Sequence, residues 1–232
     1  MRSNLFSKAA LAAIVAAPLV LVGCGGDSVT GSSPSEAGST LVRVAHLSPD
    51  APAVDVLVNG ARVVTGAAFG DVTGYLALPA GSARIQVVPA GATSPVVIDA
   101  TLSLSSGAAY TVAATGLLGA GDLQPIVLND DLSPVAGQAK VRFVHASPDA
   151  PAVDIAVTGG PVVFSNVPFR GFQGYAQVPG GTYNLEARPA GSTAVALRVP
   201  DVILGGAGNY TIFAIGRLGN GSLSALAVRD AR

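Results

Sequence analysis

The stretch VRVAHLSPDAPAVDVLV (42–58) returns as VRFVHASPDAPAVDIAV (141–157). The chain has two histidines, His46 and His145, and both sit in this motif. Apolar residues alternate on either side of Ser-Pro-Asp-Ala-Pro, the period-two pattern of two strands joined by a turn. Alternation places Val42, Val44 and His46 on one face of the first strand and Arg43, Ala45 and Leu47 on the other. After the turn, Asp55 and Leu57 share one face, and Val54, Val56 and Val58 share the opposite one. The two prolines preset φ and remove two amide donors, so no β-ladder continues through the connection. If the chain reverses at Asp50, His46 comes opposite Asp55, and His145 opposite Asp154. A buried polar group needs a partner. The expectation is therefore an imidazole–carboxylate bond across a hairpin, or Asp55 holding turn amides.

The likeness between the two stretches extends along the chain. After an insertion near Gly159-Gly160, Phe69 meets Phe169, Gly74-Tyr75 meets Gly174-Tyr175, and Pro79 meets Pro179. The PAG at 89–91 meets that at 189–191, Tyr110-Thr111 meets Tyr210-Thr211, and Leu118-Gly119 meets Leu218-Gly219. A duplicated unit of this length is a small domain, not a solenoid repeat. Each copy holds eight short runs rich in β-branched residues, punctuated by Gly, Pro, Asp and Ser, with no capped amphipathic helix. The pattern predicts an all-β chain of two tandem immunoglobulin-like antiparallel β-sandwich domains, 41–130 and 140–232, with a short linker at 131–139. Tyr110 and Tyr210 each open a strand after a Gly-containing loop. This placement suits a tyrosine corner, with a half-buried strand tyrosine as the alternative. YTIFAIG (210–216) is apolar on both faces, so the neighbouring domain is expected to cover Phe213 and Ile215. The matching face of the first copy carries the smaller Ala113 and Thr115.

The beginning of the chain reads as an address. Arg2 and Lys8 precede an apolar run too short to span a bilayer, and Leu21-Val22-Gly23-Cys24 follows. The box resembles that of bacterial lipoproteins, which implies a signal peptide at 1–23, acylation of Cys24, and membrane lipid as a partner. Cys24 is the chain's one cysteine, so no intrachain disulfide forms. Residues 24–40 read as the acylated cysteine and a flexible Gly/Ser/Pro linker, with a span on the order of 20 Å. Gly25, where inner-membrane retention would favour an aspartate, points to the outer membrane. Loss of Arg2 and Lys8 reduces 13 basic residues to 11 against 14 acidic ones, a net charge of about −3. That balance excludes a basic footprint for nucleic acid.

The strand-His-x-Ser-Pro-Asp-Ala-Pro opening, the segments GYLALPAG and GYAQVPGG, the PAG turns and the Tyr-Thr strands together resemble the bacterial domain of unknown function 4397. The resemblance covers nearly all of 41–231 in two copies. It implies extracytoplasmic, often lipid-anchored β-sandwich proteins, and it supplies no catalytic residues.

Four chemistries compete for the motif. A metal site would draw on His46, Asp50 and Asp55, or His145, Asp149 and Asp154. Structural zinc takes four ligands with Cys or several His, and no EF-hand run is present for calcium. A hydrolase would combine Ser48 and His46 with Asp50 or Asp55, and Ser147 and His145 with Asp149 or Asp154. No Gly-x-Ser-x-Gly elbow supports it. A ligand surface could form from the turn and its neighbouring loops. The fourth reading, adopted here, makes these eight residues a structural lock. No catalytic residue, metal or cofactor is then expected, and an envelope protein or a glycan joins lipid as a possible partner. A carbohydrate-binding or adhesion module is the main alternative, although five Tyr, seven Phe and no Trp make a poor stacking platform. Arg84 and Arg188 read as solvated or edge charges.

Overall fold

Short β-branched runs broken by Gly and Pro fold as strands because their stiff side chains suit a pleated surface, while the breakers turn the chain. The computed structural model describes residues 38–231, so the signal peptide, Cys24 and most of the linker lie outside it. Glu36–Arg232 is a compact unit by itself. The first domain holds β1 (Ser39–His46), β2 (Val54–Val58), β3 (Ala61–Ala67), β4 (Leu76–Pro79), β5 (Gly81–Pro89), β6 (Ile98–Leu104), β7 (Ala109–Thr115) and β8 (Gln124–Asn129). The second repeats the plan with β9 (Gln138–His145), β10 (Val153–Val157), β11 (Val162–Val167), β12 (Phe172–Pro179), β13 (Gly181–Pro189), β14 (Leu197–Leu204), β15 (Asn209–Ile215) and β16 (Ser224–Arg229). The strands begin slightly before the expected domain starts, and the connection between domains is 130–137.

Each domain is a sandwich of two four-stranded sheets, ordered β4-β1-β7-β8 and β3-β2-β5-β6, then β12-β9-β15-β16 and β11-β10-β13-β14. Pairing is antiparallel except that β1 runs parallel to β7 and β9 parallel to β15. One expectation fails here. The strands flanking the Ser-Pro-Asp-Ala-Pro segment do not pair as a hairpin, because β1 and β2 belong to different sheets. The proline-rich segment carries the chain across the sandwich, a step for which the missing amide donors are no loss.

The core follows the alternation. Val42 and Val44 of β1, Val54, Val56 and Val58 of β2, and Ile85 and Val87 of β5 are buried together. Val141, Phe143, Ile155, Leu185 and Ile212 do the same in the second domain. Each such side chain contributes roughly 1.5–3 kcal/mol by leaving water. The opposite faces of β1, β7, β9 and β15 are also buried. Ala45, Leu47, Ala113, Leu128, Val144, Ala146, Phe213 and Ile215 form a third cluster between the domains. As expected from YTIFAIG, Phe213 is fully covered there, packed in a cluster with the small Ala113 of the other copy.

The parallel pairs define two ends. Ser39 and Gln138 begin β1 and β9 at the entry end, near the starts of β7 and β15. His46 and His145 finish those strands at the turn end. There the loops after β1, β3, β5 and β7 gather with their second-domain counterparts. Arg170 in the β11–β12 connection donates from Nε to Thr115 Oγ1 (3.3 Å) and also to the carbonyl of Asp122, so the two domains meet at this end too.

Candidate functional site

The histidine turn closes on itself. His46 Nε2 lies 3.0 Å from the carbonyl of Pro52, and the Ser48 amide points at His46 Nδ1 from 3.4 Å. A carbonyl only accepts, so Nε2 carries the proton and Nδ1 offers its lone pair. His145 repeats this with Pro151 (2.9 Å) and Ser147 (3.3 Å). The neutral ring is built into the turn, and burial pushes the pKa of His145 below the usual histidine value. Ser48 Oγ donates to Asp50 Oδ1 at 3.2 Å, and Ser147 Oγ reaches Asp149 Oδ1 at 3.5 Å. The serine hydroxyl therefore points away from the imidazole, and no Ser–His relay forms.

The aspartates do not meet the histidines either, so the expected His46–Asp55 and His145–Asp154 bonds are not made. Asp50 holds the β7–β8 loop, accepting the amides of Leu118 (2.7 Å) and Gly119 (2.9 Å). Asp149 does the same for Leu218 and Gly219, at 2.7 and 2.9 Å. Burial tends to raise both carboxyls, but the paired amides outweigh it and hold both below the usual range. Asp55 faces the outside of the other sheet. It accepts the amide of Gly66 at 2.7 Å and that of Gly91, in the PAG turn, at 2.8 Å, and pairs with Arg62. Gly66, at φ 64°, lies where the register of β2 on β3 shifts, and Asn166 takes its place in the second domain at φ 50°. Both positions need a left-handed backbone, which Gly and Asn tolerate. Asp154 accepts the amides of Asn166 (2.7 Å) and Gly191 (2.8 Å). These bonds hold Asp55 and Asp154 below the ordinary carboxylate range. The alternative, Asp55 holding amides of the Ser-Pro-Asp-Ala-Pro turn, is not met either: its amide partners are the bulge at Gly66 in β3 and the PAG turn, both of its own sheet.

A second polar centre lies where the domains meet, and the motif gives no hint of it. Arg43 and Arg142, midway along β1 and β9, are among the largest fully buried side chains. Arg43 donates to Thr111 Oγ1 of its own domain at 2.7 Å and to Asp230 Oδ1 of the other at 2.5 Å. Arg142 donates to Thr211 Oγ1 at 2.9 Å and pairs with Asp130 of the first domain. The ion pairs are therefore crossed, each domain supplying the cation for the other's acid. Tyr75 donates to Asp130 Oδ2 and Tyr175 to Asp230 Oδ2, both at 2.6 Å. Each arginine also lies over one of these rings, Arg43 on Tyr75 and Arg142 on Tyr175, both at 5.0 Å. Burial and the adjacent carboxylates push both tyrosines well above the usual phenol range. Thr111 and Thr211 complete the acids' partners. Every member is satisfied, the condition under which buried charge is tolerated. The signal was present in the repeat: an arginine inside an otherwise apolar strand, at the same place in both copies.

At the entry end an open cavity of about 500 Å³ runs along this seam, lined by Ala109, Asn129, Asp131, Asn209 and Arg229 among others. Asp130 and Asp230 back it, but their carboxylates are sealed from solvent. Asn209 donates to the carbonyls of Asp131 and Ser133, while its buried Oδ1 has no partner. Lys140 pairs with Asp131 nearby. Elsewhere, Tyr110 and Tyr210 behave as tyrosine corners, their hydroxyls accepting the amides of Ser105 (3.2 Å) and Gly205 (2.9 Å). Arg84 pairs with Asp99 at the surface, and Arg188 with Glu186. Among the described residues no group of three or more His, Cys, Asp or Glu converges as metal ligands would.

The family model described as "Domain of unknown function (DUF4397)" matches residues 40–156 and 156–232. Its division falls inside β10, whereas the structural boundary precedes β9. No curated protein matches the chain. Among solved structures, the Bacillus anthracis TIE protein overlays with a TM-score of 0.25 at 12% identity, over 78% of this chain and 34% of that one. This chain thus spans about a third of its length. CBMbc (family CBM26) from Eubacterium rectale Amy13K, in complex with maltoheptaose, overlays with a TM-score of 0.26 at 10% identity, over 84% of this chain and 98% of that one. Overlays this loose transfer no site.

Proposed function

The chain belongs to the DUF4397 family, and from that premise we propose that it is a lipid-anchored, extracytoplasmic module that binds or braces other envelope components without catalysis. The observation carrying this reading is the commitment of the motif's polar groups. The imidazoles, serine hydroxyls and aspartates of both copies are tied to their own turns and loops, and none faces a substrate-sized cleft. What supports the anchor is the box ending at Cys24 and the Gly/Ser-rich stretch after it, with two or more acyl chains giving durable attachment. No helix among the described residues is long and apolar enough to cross a membrane. The outer membrane is the favoured site, following Gly25.

Two measurements test the proposal. Cys24→Ser should abolish incorporation of a labelled fatty acid and move the protein from the membrane to the soluble fraction. Unchanged membrane retention would sink the anchor. Residues 36–232 carrying His46→Ala and His145→Ala should melt at a lower temperature yet keep whatever glycan or envelope-protein binding the unmodified body shows in a screen. Binding lost at an unchanged melting temperature would instead make the turn a ligand site.

A further inference from the structure

The polar half of the seam does not tell one copy from the other. Each domain carries the complete set: Arg43, Thr111 and Asp130 in the first, Arg142, Thr211 and Asp230 in the second. Arg43 reaches Asp230 and Arg142 reaches Asp130, the reciprocal pattern of an isologous twofold contact. Two first domains from separate chains would bring each Arg43 to the other's Asp130 and make equivalent bonds. Two second domains would do so through Arg142 and Asp230. Charge therefore draws any two of these faces together and leaves the choice of partner open.

The apolar half is not symmetric. Ala45 and Ala113 lie side by side in the parallel pairing of β1 with β7, fully buried in the cluster between the domains. Val144 and Phe213 hold the matching places in the pairing of β9 with β15 and are equally buried. A patch of two methyl groups on the first domain thus answers an isopropyl group and a phenyl ring on the second. Leu47 and Leu128 exceed Ala146 and Val228 in size and return part of the difference. Among the described residues, Phe213 is still the one aromatic ring of this cluster. Packed interiors tolerate neither a void nor surplus volume. First face on first face would leave a hollow at four alanines. Second face on second face would press two rings into room made for one.

We infer that Phe213, with Val144 beside it, decides partner choice at the seam: the contact accepts the unlike domain and rejects the like domain of a second copy. The crossed charges supply attraction, and the small and large patches supply selectivity. A consequence resting on the Cys24 anchor proposed above is that chains crowded on one lipid surface close on themselves, first domain on second, and not on like domains of their neighbours.

Residues 36–232, which lack the anchor and so test the seam independently of it, carry the experiment. Val144→Ala with Phe213→Ala gives a chain with two small faces, and Ala45→Val with Ala113→Phe gives one with two large faces. Each should melt about 5 °C or more below the unmodified body. All four substitutions together exchange the faces, so small again meets large, and at least half of the greater loss should be recovered. Sites acting independently would instead make the four-site variant the least stable. Sedimentation equilibrium then reads partner choice directly. An equimolar mixture of the small-faced and large-faced chains should form a one-to-one complex that neither forms with itself. Amide protection in β5 and β13 checks that each domain of every variant is folded. A four-site variant melting below both two-site ones, no complex in the mixture, or equal self-association of the large-faced chain would each overturn the inference.

Discussion

The histidine turn and the charged seam are both buried, polar and present twice, yet they are organised in opposite ways. The turn is closed. His46, Ser48 and Asp50 find their partners within their own domain, and His145, Ser147 and Asp149 repeat them. The seam is open, since Arg43 needs Asp230 and Arg142 needs Asp130. One makes a domain and the other makes a pair. A closed device is copied intact by duplication. A crossed one works only if both copies keep it, and here both have.

The contrast can be broken by mutation, and the largest effect is expected at the seam. Asp230→Ala leaves Arg43 buried beside Thr111 without its carboxylate. The cost should be about 3–5 kcal/mol in urea unfolding, with Asp130→Ala similar through Arg142. A cost below that of a turn variant would reverse the ranking. Next comes the apolar part of the seam: Phe213→Ala should cost about 3 kcal/mol and loosen the domains, read as faster amide exchange in β7 and β15. Phe213→Ser with Ile215→Ser leaving inter-domain packing unchanged would contradict the role given to this face.

Effects at the turn should be smaller and local. His145→Ala removes the bond to Pro151 and leaves the Ser147 amide without its acceptor, at about 2 kcal/mol, with exchange raised in the second domain first. The smallest effect is the pH response of the same group. Burial depresses the His145 pKa, so the folded chain takes up that proton less readily than the unfolded one. The contribution is complete above about pH 6.5 and declines as the pH falls below it. His145→Ala should remove that part of the pH dependence in thermal melts. Asp50 and Asp149, also depressed, act further down: their contribution is present above about pH 3.9 and is lost as the pH falls through their lower folded values.

The sequence disclosed what depends on local pattern. Eight strands per copy, the inward valines, the two tyrosine corners and the covering of Phe213 could all be read from alternation and from aligning the copies. Alignment also marked Gly74-Tyr75, the PAG turns and Leu118-Gly119 without revealing their tasks. Those tasks are distant in sequence: Tyr75 reaches Asp130, Gly91 reaches Asp55, and Leu118 and Gly119 reach Asp50. The His46–Asp55 pairing failed because proximity along the chain suggested a hairpin, whereas the prolines mark a passage between sheets. Arg43 was assigned correctly to the outward face, but no period within one domain says that a second domain covers it.

The crossed seam also bears on the order in which the chain is made. The first domain emerges before Asp230 exists, so its Arg43 faces a wait of most of a domain's synthesis with its final partner absent. Its own Asp130 lies 3.8 Å from the Arg43 guanidinium, close enough to serve as a provisional counterion. The half-made protein therefore shows water a neutralised polar stripe beside Ala45, Ala113, Leu47 and Leu128, and the bulky Phe213 comes only with the second copy, which has a finished surface to receive it.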